Sequence, residues 1–242
     1  MKKLTISSFA SLVLSIAPAA MADEGSPVTV TNGHWDIAAH YDVTTLETEL
    51  AQHPEPGGGE EITAPLNGST VRYNFGTNAP VNITVGSNNL GFLWATPEDE
   101  TVAELAGFPL LGFSAEELST NSFSGSVIFT MTDFSYTGSG NGNFYLFKDD
   151  TIYMNSTLGT NNYGSISVQV NQHEDGQFGF SQFGSYGVTF VASATLTSGS
   201  TISSDPQTLT YNVIPEPSTY ALVGLGAGML ALLGWRRRSG QS

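Results

Sequence analysis

The stretch Ser126-Val127-Ile128-Phe129-Thr130-Met131-Thr132 decides the fold. Val127, Phe129 and Met131 recur every second residue, the repeat that sets side chains on one face of a β-strand. Outward from it, Ile166, Val168 and Val170 repeat the pattern, as do Val188, Phe190 and Ala192, and then Leu209, Tyr211 and Val213. Between such runs lie turn clusters, among them Thr137-Gly138-Ser139-Gly140-Asn141-Gly142 and Leu158-Gly159-Thr160-Asn161-Asn162. Helical periodicity is missing apart from a short turn at Ala115 to Leu118. The pattern predicts an all-β domain, an antiparallel β-sandwich of immunoglobulin-like or jelly-roll type. Phe178, Phe180, Phe183, Tyr186 and Phe190 read as its core. His53 to Leu66, rich in Pro, Gly and Glu, reads as a long loop within that single domain.

Composition narrows the class. The chain has 242 residues, 12% of them charged, with 27 glycines and no cysteine. A domain of this size buries enough surface to dispense with disulfides. The net charge of −15 is unevenly spread: Lys2, Lys3, Arg236, Arg237 and Arg238 sit near the ends, and all 22 acidic residues lie between them beside only Arg72 and Lys148. So acidic a body repels nucleic acid and anionic lipid and attracts cations.

The ends carry targeting information. Lys2 and Lys3 precede the apolar run from Phe9 to Ala20, and Ala20 and Ala22 supply the small residues that signal peptidase reads, so residues 1–22 are expected to be a secretory signal. Residues 23–214 then form the extracytoplasmic domain. In residues 215–242, Pro215-Glu216-Pro217 is followed by an apolar run from Tyr220 to Gly234 and by Arg236, Arg237 and Arg238. An apolar span with positive charge on its C-terminal side predicts one short transmembrane helix with its preceding domain outside. Gly224, Gly226 and Gly228 make that helix a poor permanent anchor. This tail resembles the PEP-CTERM sorting signal of Gram-negative bacteria. The resemblance implies transient insertion in the inner membrane, cleavage by an exosortase, and delivery to the cell surface or an exopolysaccharide matrix.

Chemistry-bearing residues are few. His34-Trp35-Asp36 and His173-Glu174-Asp175 each place a histidine and an aspartate on one strand face, about 7 Å apart by strand rise. Imidazole and carboxylate together make divalent-metal sites, so His34, Asp36, His173 and Asp175, with His53 closing from its loop, are the candidate ligands. His40 has no motif partner and reads as structural. There is no G-x-S-x-G, H-E-x-x-H or P-loop pattern, and no enzymatic activity is expected.

The order Gly33-His34-Trp35-Asp36-Ile37, Leu93-Trp94-Ala95-Thr96-Pro97, Leu110 to Leu118, and His173 through Phe180 to Phe190 resembles the choice-of-anchor M surface domain, in its PEP-CTERM branch under zinc-uptake-regulator control. That resemblance implies a surface metal-binding protein serving zinc or manganese acquisition or storage. His34 and Asp36 match its opening G-H-x-D. His53 matches the second histidine of an L-H-x-H stretch whose first falls on Ala51. His173 matches the first histidine of H-x-H-x-x-W-x-F, with Asp175 in place of the second. Aspartate for histidine hardens the site, bringing in calcium, magnesium or manganese as alternatives to zinc. The rival reading is a non-catalytic carbohydrate-binding or structural protein of the exopolysaccharide matrix, with Trp35, Trp94 or Tyr163 exposed as stacking platforms.

Overall fold

The computed structural model describes residues 26–52, 62–76, 78–160 and 162–215. The signal residues Ala20 and Ala22, the ligand candidate His53, and Glu216, Pro217 and Arg236 to Arg238 of the tail lie outside the described residues. So does the apolar run 220–234; among the described residues, no helix is long and apolar enough to cross a membrane.

The described strands make three sheets. The largest is seven-stranded, in the order β1 (Thr29–Val30), β5 (Thr70–Asn74), β17 (Gln207–Ile214), β15 (Gly184–Leu196), β9 (Phe123–Gly138) and β12 (Ser165–Gln169), with β16 (Thr201–Ser203) paired to β15. A five-stranded sheet runs β11 (Thr151–Asn155), β10 (Phe144–Lys148), β14 (Gln177–Phe180), β7 (Asn88–Ala95) and β6 (Val81–Val85). The other five-stranded sheet runs β13 (His173–Asp175), β8 (Leu110–Ser114), β2 (His34–Tyr41), β3 (Leu46–Gln52) and β4 (Ile62–Pro65).

The alternating runs pack as their period requires. Val127, Phe129 and Met131 are buried, and so are Val188, Phe190 and Ala192, and Leu209, Tyr211 and Val213. Their face of the large sheet meets both smaller sheets. Phe113 of β8 packs against Phe129 and Phe190 of the large sheet, with ring centroids 5.3 and 5.7 Å apart, and against Phe178 of β14 at 6.3 Å. Tyr211 of β17 meets Phe144 and Phe178 of the other small sheet at 5.6 and 5.7 Å. One continuous apolar core therefore lies between the large sheet and a layer made of the two smaller ones.

The all-β class holds, but a purely antiparallel sandwich does not. β1 pairs with β5, β5 with β17, and β2 with β8 in parallel. Period-two alternation fixes which face a residue takes and is blind to strand direction, so it could not foresee these pairings. Two local readings are corrected as well. Ile62–Pro65 is not loop but the edge strand β4, where a proline is tolerated because one side of the strand needs no donor. An α-helix, α1 (Glu100–Ala106), is present where none was expected. It is capped by Asp99, whose side chain accepts from the Val102 N–H, and ends at Gly107 in the left-handed conformation. With only Ala103 buried it is too short to show a periodic stripe. Ala115 to Leu118 is a single turn, closed by the Leu118 N–H donating to the Ala115 carbonyl at 3.1 Å.

Candidate metal centre

The site grows from the pleat of β2. Gly33, at φ +79°, makes the left-handed turn that opens the strand, and its carbonyl accepts the Leu110 N–H at 3.0 Å. From there Trp35, Ile37 and Ala39 point into the core, so His34, Asp36, Ala38 and His40 take the opposite face. β8 runs parallel to β2 with Gly112 opposite Asp36, and β13 runs antiparallel to β8 with Asp175 opposite the same Gly112. Asp36 and Asp175 thus lie in one row, two strands apart, with only a glycine between them.

Gly112 is what lets the two carboxylates converge. A Cβ built on it would run into Asp36 Oδ1, stand 2.7 Å from Asp175 Oδ1 and 3.1 Å from the Glu174 carbonyl oxygen. Three oxygen atoms therefore surround a space that any side chain at position 112 would fill. His34 overlooks that space from β2, with Nε2 3.1 Å from Asp175 Oδ1 and 3.6 Å from Asp36 Oδ1. Donors bound to one tetrahedral ion at 2.0–2.2 Å stand roughly 3.3–3.6 Å from one another. His173 joins from β13, its ring edge-on to that of His34 with centroids 5.6 Å apart and its Nε2 3.9 Å from Asp175 Oδ2. One donor atom from each of His34, His173 and Asp175 lies within 4.8 Å of the others.

Each imidazole is also held from outside. His34 Nδ1 faces Glu100 Oε1 at 3.6 Å, and His173 Nδ1 donates to Glu116 Oε1 at 3.2 Å. Both rings thus turn Nε2 toward Asp175 and Nδ1 toward a glutamate, the arrangement in which an outer carboxylate orients a metal-binding histidine. Burial pushes the His34 imidazole toward neutrality, but its hydrogen bonds to Asp175 and Asp36 and their negative charges outweigh that and raise its pKa from 6.5 to about 10. In the ion-free protein His34 is therefore a cation seated among carboxylates, and Asp36, wholly buried, lies against it. A divalent ion bound through His34 Nε2 would have to displace that proton.

His34, Asp36, His173 and Asp175 are thus brought together. The resemblance motifs contained Gly112, Glu116 and the neighbouring Glu117, but gave them no role. A lone glycine inside the apolar strand Leu110–Ser114 is itself a signal of close approach by another group. Glu100 had no such signal, since its nearness to His34 depends on where α1 docks.

Two of the three candidate aromatic platforms are buried. Trp35 and Tyr163 are buried, 8% and 6% exposed. The Trp94 indole is half-buried, packs on Phe183 at 4.3 Å and donates through Nε1 to the Asn78 carbonyl at 3.3 Å. The reading of these rings as sugar-stacking surfaces fails for Trp35, which alternation along β2 turns into the core, and for Tyr163, which packs into the core from the bend before β12, while Trp94 is partly covered by Phe183.

Residues 213–238 match the PEP-CTERM protein-sorting motif. The motif implies an exported protein, held transiently in the membrane and processed by an exosortase. No curated protein and no solved structure matches the chain, and the likeness of its domain to choice-of-anchor M proteins finds no support in these comparisons.

Proposed function

We propose that this is a non-enzymatic exported protein that binds a divalent cation, zinc in preference, at His34, Asp36, His173 and Asp175, and serves metal acquisition or storage at the cell surface or in the extracellular matrix. The observation that supports it is the paired orientation of the two imidazoles, Nε2 toward the space above Gly112 and Nδ1 toward Glu100 and Glu116. Two neutral imidazoles and two carboxylates offset the charge of one divalent ion. The nitrogen donors favour zinc over calcium and magnesium, which take oxygen shells, and the carboxylates make manganese the alternative. His53, a further ligand from the sequence reading, lies outside the described residues.

The test is metal titration of the full chain in mild detergent after chelation, by calorimetry with zinc, manganese and calcium in turn. Zinc is expected to bind, and Asp36→Asn to weaken it by about 100-fold, at the upper end of what disturbing a metal's immediate surroundings does. Zinc uptake unchanged by both Asp36→Asn and His173→Ala would show that the cluster is an ion-pair network and no more. Preferential calcium binding that Asp36→Asn abolishes would keep the site and change the metal.

A further inference from the structure

His40 lies on the same outward face of β2 as His34, six residues along, and its surroundings follow no motif. The neighbours on that face are acidic. Its Nδ1 donates to Glu117 Oε2 at 2.5 Å. On the adjoining strand β3, Glu47 stands opposite His40 and Glu49 opposite Ala38. A donor atom from each of His40, Glu49 and Glu117 lies within 4.8 Å of the other two.

Two physical features separate this group from an ordinary acidic surface. The first is the burial of one member: Glu49 is 8% exposed and His40 is half-buried, while Glu117 opens to solvent. Taking a carboxylate out of water costs several kcal/mol unless positive charge meets it there. Protonated His40, which interacts with Glu117, Glu49 and Glu47, is one source of such charge; a divalent cation would serve both carboxylates at once and leave the imidazole neutral, as a ligand must be. The second feature is how the donors are held. His40 and Glu49 stand on paired strands, and Glu117 sits in the turn that follows β8. That turn is fixed by the Glu116 N–H donating to Ser114 Oγ at 3.2 Å, and by Ala115, which donates to the Gln172 carbonyl at 2.8 Å and accepts from the Asn171 N–H at 2.9 Å. It sends Glu116 to His173 and Glu117 to His40, so one short turn serves both clusters.

We propose that His40, Glu49 and Glu117 form a second divalent-cation site, of the zinc or manganese class, distinct from the centre at His34. One imidazole and two carboxylates are three of the four donors such an ion takes, and solvent at the open side of Glu117 supplies the fourth.

Zinc stoichiometry of the full chain in mild detergent tests this. Wild type is expected to take up two equivalents near neutral pH. His40→Ala and Glu117→Gln are each expected to lose one of them while the other keeps its affinity, and that retained equivalent shows the variant is folded. His34→Ala is expected to lose the complementary one. A single wild-type equivalent removed by His34→Ala and untouched by Glu117→Gln would overturn the second site and leave the first standing. A single equivalent removed by Glu117→Gln and untouched by His34→Ala would keep the second site and overturn the first. Two equivalents that survive Glu117→Gln at unchanged affinity would also overturn the proposal, whatever His40→Ala does to folding.

Discussion

Strand β2 has two faces that differ in what they are for. Trp35, Ile37 and Ala39 are inserted into the common core, where neighbouring side chains are apolar and close-packed. One residue out of phase, His34, Asp36 and His40 face carboxylates and imidazoles, and Asp36 is as deeply buried as Ile37. Burial stabilises the first face and taxes the second, because a buried charge must be matched by another. Asp36 and Ile37 are equally buried with opposite chemistry, and the proposed metal centre would account for the difference.

Breaking the inner face has the largest effect. Phe113→Ala removes the ring joining all three sheets directly beneath Gly112. It is expected to lower stability by about 3–5 kcal/mol in chemical denaturation, as large-to-small changes at buried aromatics do. Zinc binding should then disappear together with the fold.

Gly112→Ala should separate the two faces. Its methyl group meets the ends of Asp36 and Asp175, which can swing away, so the expected stability loss is smaller, about 1–3 kcal/mol. Zinc affinity should nonetheless fall roughly 10- to 100-fold. Calorimetry paired with denaturation checks this, and undiminished affinity would show that the ion does not sit above Gly112.

The smallest effect concerns pH in the ion-free protein. His34 has a folded pKa of about 10 against 6.5 when unfolded, so its contribution is fully present below 6.5 and is lost as the pH rises from 6.5 through 10. The groups facing it are Asp36, Asp175, Glu100 and His173. Because Glu100 is exposed and Asp175 partly so, screening holds the change to on the order of 1 kcal/mol. Denaturation across that range should show the decline, and Asp36→Asn should flatten it.

Much of this was legible in the sequence, and the remainder divides by physical cause. Alternation located the core at Phe129, Val188, Phe190 and Tyr211, and put His34 and Asp36 on one face, because side-chain direction along a strand is a local property. Parallel pairing of β2 with β8 is not local, and nothing within either strand encodes it. The strands bearing His34 and His173 are not direct neighbours: β8 intervenes, and Gly112 makes the approach of their side chains possible. His40 read as structural because its partners, Glu49 and Glu117, are brought to it by sheet register and by a turn.

The wide separation of the ligands along the chain has a further consequence. His34 and Asp175 are 141 positions apart, and contacts so remote form only once the long loops between them have closed. A partly folded chain offers at most one His-x-Asp pair at a time, too few donors to retain an ion. An ion held at this centre is thus a ligand of the finished domain alone, and at a free concentration a hundredfold above its Kd it adds about 2.7 kcal/mol to the stability of that state. For a chain bearing an export signal, loading of the proposed centre would belong to the far side of the membrane, and occupancy would report that folding there is complete.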